Sequence, residues 1–209
     1  MKHLIIIGGG GMGRSVYSMA EDSIGFGTEF DIKGFLDDNL NSMDGFQDYK
    51  PVIGTIEGYS IEEDDVFVCS IGDVATKHRI CESLRGRGAQ FYTIIGKTAT
   101  VRKNAKIGDG CIIGNYTTIG TDATLGCNCL IQSFASVGHD CVLGDYVRMD
   151  TRSMCVGGVI IKDRVSIFTN AVISHNVVVG EDAHVAALSF VIRKVQPGVT
   201  VFGNPAKKL

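Results

Sequence analysis

Two segments of the sequence hold residue types at spacings that suit chemistry. The first is His139-Asp140, followed eighteen residues later by Gly157-Gly158. A histidine with an ordinary pKa near neutrality can take a proton from an attacking nucleophile. A carboxylate can fix the imidazole and stabilise its charged form, and a backbone N–H at a glycine can support a developing oxyanion. Those parts suit acyl transfer from a thioester: His139 as base, Asp140 as its orienter, Gly157 as amide donor. The second segment is Gly8-Gly9-Gly10-Gly11-Met12-Gly13, which satisfies G-x-G-x-x-G after a short apolar run, Leu4–Ile7. Asp37 follows 24 residues after Gly13. Glycines there allow close approach of backbone to phosphate, and an acid at the next strand end can hold a ribose hydroxyl. An ordinary tight β–α turn would also fit.

The elements that must position these residues differ between the two halves of the chain. Before residue 95 the pattern is of alternating strands and helices: strands at Leu4–Ile7, Lys33–Leu36, Val66–Ser70 and Gln90–Ile95, with helices over 14–22 and 74–85. Val74, Ile80, Cys81 and Leu84 fall on one helical face. This predicts a small parallel α/β unit, half the size of a full dinucleotide-binding fold.

From Ile95 a six-residue repeat takes over. Every sixth position to Val191 is aliphatic, Met or Cys, and the residue four further on is small or β-branched in all seventeen hexads. No helix has this period, and a plain strand needs only period two. Flat-faced parallel β-helical coils satisfy it, the aliphatic and small residues both pointing inward. Gly follows the aliphatic residue in eight hexads, and is expected to relieve unusual corner dihedrals. Pro197 marks the expected exit of the chain.

These hexads resemble the left-handed β-helix of the hexapeptide-repeat acyltransferases, with three hexads per coil. Residues 18 apart then stack, so Lys103, Thr121, His139, Gly157, His175 and Arg193 form one column and Asp122, Asp140, Gly158 and Asn176 the next. His139-Asp140 would border a bare glycine patch, with His175 as the competing candidate. The whole chain is similar to the PglD-like and NeuD-like sugar acetyltransferases. The His-Glu-Cys-Val-Ile-Gly segment of the PglD-like type corresponds to His139-Asp140-Cys141-Val142-Leu143-Gly144, and the ending Gly203-Asn204-Pro205-Ala206-Lys207 is of the family's kind.

The resemblance implies a Rossmann-like domain over 1–94 that binds a nucleotide sugar, a left-handed β-helix over 95–196, and a tail over 197–209. It implies acetyl-CoA as co-substrate, near Gly157, Gly158, Gly203, Asn204, Pro205 and Lys207. It places a nucleotide-activated amino sugar, expected to be a UDP-4-amino-dideoxyhexose, at Gly8, Gly10, Gly11, Met12, Gly13, Asp37, Asp38, Ile71 and Gly72. A homotrimer is implied too. Several positions depart from the family: Met12 replaces a common His, Gln132 an Asn, and Arg148 a second ligand-binding His, while 149–154 is more polar. Arg148 is therefore expected to touch the acceptor, reading an extra anionic group, or else to be a solvated corner residue.

Composition bounds the alternatives. The 209 residues carry Lys+Arg 20 against Asp+Glu 23, a net charge of −3, which gives no bulk electrostatic case for nucleic acid. Leu4–Ile7 is too short for a signal peptide or a membrane span, so a cytoplasmic protein with its seven cysteines as thiols is expected. Cys111, Cys129, Cys141 and Cys155 occupy inward positions, and no metal site is expected. O-acetylation of sialic acid or another sugar hydroxyl, an NAD-type binding protein with a β-helix trimerisation scaffold, and a catalytically dead assembly subunit remain open at this point.

Overall fold

The computed structural model describes residues 1–209, which form two compact units, Met1–Lys97 and Thr98–Leu209. In the first, the apolar run Leu4–Ile7 is fully buried at the centre of a parallel sheet. It lies in β1 (Lys2–Ile7), which leads into helix α1 (Gly11–Glu21). β2 (Phe30–Leu36) pairs beside β1, β3 (Val52–Gly54) beside β2, and β4 (Asp65–Cys69) on the other side of β1. Helix α2 (Val74–Gly86) then leads to β5 (Gln90–Phe91), giving the order β3-β2-β1-β4-β5. Val74, Ile80, Cys81 and Leu84 are all buried, as their helical spacing requires.

The sheet has five strands rather than the four the pattern predicts. β3 is three half-buried residues, too short to show alternation. The expected strand Gln90–Ile95 divides: Gln90–Phe91 joins β4, and Ile94–Ile95 is a separate strand. Helix α1 starts three residues before the expected position, at Gly11. Gly13 permits this start, because a Cβ on it would lie 2.0 Å from the Gly8 carbonyl oxygen.

The second unit is a left-handed parallel β-helix. Each hexad contributes a two-residue strand, and strands pair in parallel with those 18 residues away. Ser136 and Val137 pair with Met154 and Cys155, and Val142 and Leu143 with Ile160 and Ile161. From Ile113 onward the inward aliphatic positions are buried; Val101, in the first coil, is exposed. The inward cysteines Cys111, Cys129, Cys141 and Cys155 are buried thiols.

The corners depart from expectation. The glycines after the aliphatic residues do not relieve unusual dihedrals. None from Gly108 to Gly180 at this position has a positive φ. They admit the next coil instead: a Cβ on Gly120 would lie 2.5 Å from the Gly138 carbonyl carbon and 2.6 Å from the His139 nitrogen. The left-handed residue comes two positions later, and it is mostly not glycine. Thirteen such residues, from Asn104 to Leu188 and including Phe134 and Arg152, have φ between 55° and 64°. That region costs an L-residue about 1–2 kcal/mol, so the inter-coil ladder imposes it.

Pro197 does not end the solenoid either. Val195 bridges Val179, and strand Thr200–Gly203 adds to His184–Val185. The chain then turns back as Ala206–Lys208, antiparallel to Thr200–Gly203.

Two substitutions separate these corner requirements. Gly120→Ala should destabilise by about 2–3 kcal/mol, because backbone must move. Asn170→Gly, at φ 58°, should stay within about 1 kcal/mol of wild type. Thermal or urea unfolding of the purified variants measures both, and equal losses would contradict the division of roles.

Candidate active site

The β-helix register brings His139 and Gly157 together. His139 follows strand Ser136–Val137 and Gly157 follows Met154–Cys155, which are paired neighbours. Asp140 takes φ 59°, and its carboxylate turns back onto the preceding imidazole. His139 Nδ1 and Asp140 Oδ2 are 2.7 Å apart. Asp, although shorter than Glu, thus reaches the ring. The carboxylate engages the Nδ1 side of the ring, and the Nε2 side lies over Gly157. Both side chains are exposed.

The glycine patch is not bare. The imidazole lies over Gly157, where a Cβ would stand 2.4 Å from His139 Nε2. The Asn176 side chain fills the place beside Gly158, 2.2 Å from where a Cβ would be. Gly157 therefore admits the histidine ring rather than leaving an open surface. Its N–H donates to no acceptor in the chain, while its carbonyl accepts from Asn176 N at 3.2 Å. The equivalent N–H groups at another corner are occupied: Cys127 N donates to Asp145 Oδ1 at 2.7 Å, and Asp145 N to Asp163 Oδ1 at 2.9 Å.

The competitor His175 is exposed and has no carboxylate on its ring. Cys141, beside Asp140 in sequence, is buried with its thiol on the Val156 carbonyl at 3.0 Å. Burial pushes that thiol above its ordinary pKa. It is no nucleophile for this corner.

In the first unit, Gly8, Gly10, Gly11, Met12, Gly13, Asp37, Ile71 and Gly72 line a single cavity of about 320 Å³, with Ser70 in addition. Ser70 carries no motif signal in the sequence. Its hydroxyl donates to the Ile7 and Gly8 carbonyls at 2.7 and 3.1 Å, fixing the glycine loop. Asp37 accepts from Gly9 N at 2.7 Å and Asn39 N at 2.8 Å, one bond to each carboxylate oxygen. Its first task is to shape the loop. Asp38 does not line the cavity; its carboxylate accepts from Ile56 N at 3.2 Å. Asp73 caps α2, its carboxylate accepting from Thr76 N at 2.8 Å.

Arg148 stands apart from His139. It lies on strand Arg148–Met149, on a different face of the β-helix from Ser136–Val137. Its guanidinium forms a two-pronged pair with the largely buried Asp150, at 2.7 and 2.9 Å. Gln132 Nε2 also donates to Asp150, at 2.6 Å. Arg148 is thus neither the solvated corner residue nor a free anion receptor. Asp150, invisible to motif reasoning, neutralises it.

At the C-terminal end, Lys207 lines a cavity of about 440 Å³ with Arg193, Lys194 and Lys208 among its walls. Pro205 lines a smaller adjoining one with Arg193 and Lys207. Gly203, at φ 105°, donates its N–H to Ser189 Oγ at 3.2 Å, and Asn204 precedes the cis Pro205 in the turn. The basic neighbours Lys194 and Lys208 belong to no motif of the sequence. Arg193 stands in the His139 column three coils on, about 14 Å away at strand spacing. No group of three His, Cys, Asp or Glu side chains is placed to hold a metal, and no helix is long and apolar enough to cross a membrane.

Residues 3–84 match the family described as the PglD N-terminal domain, and residues 91–121 match the bacterial transferase hexapeptide repeats. No curated protein sequence matches the chain. Among solved structures, the acetyltransferase domain of PglB from Neisseria gonorrhoeae is 29% identical with a TM-score of 0.91, each chain covered completely. The same domain in complex with acetyl coenzyme A gives a TM-score of 0.89, covering 100% of this chain and 99% of that one. WeeI from Acinetobacter baumannii is 25% identical, TM-score 0.89, again over the whole of both chains. A mutant perosamine N-acetyltransferase from Caulobacter crescentus, in complex with CoA and GDP-perosamine, is 23% identical, TM-score 0.86, over 100% of this chain and 97% of that one. That last likeness is one of fold.

Gly157→Ala tests how the corner is assembled. The added methyl meets an exposed ring, not backbone, so the melting temperature should fall by no more than a few degrees. The imidazole should swing off Gly157, visible in a crystal structure or as altered His139 ring resonances. An unmoved ring would contradict the geometry.

Proposed function

We propose that the chain is an acyltransferase of the hexapeptide-repeat kind with a PglD-type N-terminal domain, and that it uses acetyl-CoA to N-acetylate the amino group of a nucleotide-linked amino sugar. His139 is the general base. The observation that carries this reading is the His139–Asp140 pair at 2.7 Å, its ring lying against Gly157, whose N–H has no acceptor in the chain.

The amine nitrogen attacks the thioester carbonyl carbon and gives up a proton to His139 Nε2. Asp140 steadies the resulting imidazolium through Nδ1. The Gly157 N–H supports the oxyanion. Collapse of the intermediate breaks the C–S bond, and the imidazolium returns the proton to the departing CoA sulfur. No covalent enzyme intermediate is needed, in keeping with the buried Cys141.

The C-terminal cavity suits the anionic end of the co-substrate. Lys207, with Arg193, Lys194 and Lys208, supplies positive charge for its phosphates. Gly203, Asn204 and Pro205 form the turn that returns Lys207 to this wall. The reading assigns the cavity at Gly8–Gly13, Ile71 and Gly72 to the nucleotide sugar, with a UDP-4-amino-dideoxyhexose as the first acceptor to try. An NAD-type role is disfavoured, since Asp37 is engaged with backbone amides and the sheet stops at five strands. The reading includes a homotrimer, in which a neighbour covers the apolar faces flanking His139. Val142 and Met154 there are 46% and 43% exposed.

Purified protein should bind acetyl-CoA and UDP, but not NAD, in calorimetric titrations. His139→Ala should lower kcat/KM for acetyl transfer by about 100-fold or more. A loss of about tenfold or less would overturn the base assignment. Binding of acetyl-CoA without any nucleotide would move the acceptor to a free sugar, its amine or its hydroxyl.

A further inference from the structure

The glycine-rich cavity lacks positive charge in its walls. Its one charged lining residue is Asp37, already bonded to the Gly9 and Asn39 amides. Under the nucleotide-sugar reading, on which this inference rests, the cavity must accept a diphosphate beside that carboxylate. A cation has to come from the rim.

Arg14, in the first turn of α1, stands beside Gly11, which lines the cavity. A Cβ on Gly11 would lie 3.9 Å from the Arg14 guanidinium. The side chain is half-buried yet enters no ion pair and no side-chain hydrogen bond. Asp44 and Asp48, on the segment following β2, leave it unpaired. That same segment holds the guanidinium in another way: Arg14 Cζ is 3.8 Å from the centroid of the Phe46 ring. Stacking on an aromatic face fixes the plane of a guanidinium while leaving its five N–H donors free. The segment itself is seated on the glycine loop, since a Cβ on Gly9 would lie 2.3 Å from Ser42 Oγ.

We infer that Arg14 is the specificity-determining residue that reads the diphosphate of the nucleotide sugar, with Phe46 as the plane that positions it. The planar fork suits two phosphate oxygens at once, so the cavity should distinguish nucleoside diphosphates from monophosphates. Phe46 acts only through Arg14, and it remains 40% exposed to do so.

Calorimetric titration of wild type, Arg14→Ala, Arg14→Lys and Phe46→Ala with UDP, UMP, GDP and GMP tests this, with acetyl-CoA and the melting temperature as controls for folding. Wild type should bind a diphosphate about tenfold or more tighter than its monophosphate. Arg14→Ala should weaken diphosphate binding by about 10- to 100-fold and change monophosphate binding by less than about threefold. Arg14→Lys should fall between, keeping charge without the fork. Phe46→Ala should lose about three- to tenfold for diphosphate. If wild type binds a diphosphate and Arg14→Ala binds it equally well, the assignment of Arg14 is overturned while the nucleotide-sugar reading stands. Equal weakening of mono- and diphosphate overturns it too. If wild type binds no nucleoside diphosphate, the nucleotide-sugar reading falls and takes this inference with it.

Discussion

Hydrogen bonding between coils eighteen residues apart is the constraint on which the β-helical unit depends. Each short strand is only two residues long, and none would persist alone. Paired above and below, the strands hold thirteen non-glycine corner residues in left-handed backbone. The same ladder presses corner backbones so close that Gly120 and Gly138 have no room for a side chain. The strain and the close approach are consequences of one requirement: every coil must return to the same place three hexads later.

The geometry of the His139 corner follows from that return. A histidine two positions after an inward aliphatic residue points outward, and the residue one coil on lies under its ring. Gly157 lets the imidazole settle there. The left-handed conformation of Asp140, common to the corners, directs the carboxylate to Nδ1. Thus a strained backbone feature with a purely architectural origin becomes the device that orients the imidazole. His175 occupies the same column, but Asn176, which follows it, is no carboxylate and packs at Gly158 instead.

The N-terminal unit uses its polar groups differently. Ser70 and Asp37 are both engaged in holding the glycine loop, through carbonyls on one side and amides on the other. What faces the cavity is mostly glycine backbone, with Asp37 its one charged lining residue. A similar division holds at Arg148, whose pairing with Asp150 leaves little free charge, and at the C-terminal hairpin, where several cations stand unneutralised around one cavity.

The repeat architecture, the inward residues and the His139–Gly157 column are legible in the sequence because a period of six and a spacing of eighteen are one-dimensional facts that translate directly into a coil. The glycine loop and its partners Asp37, Ile71 and Gly72 are legible for a similar reason: strand ends of a parallel sheet converge at one edge. Strand β3 is not, being too short to carry a pattern, nor is the return of the tail after Pro197, since pairing with His184–Val185 has no local signal. The purpose of the corner glycines, the engagement of Asp37 and Asp38 by backbone amides, the neutralisation of Arg148 by Asp150, and the stacking of Arg14 on Phe46 are decided only by the tertiary structure. Each depends on a distance between atoms that residue spacing does not set.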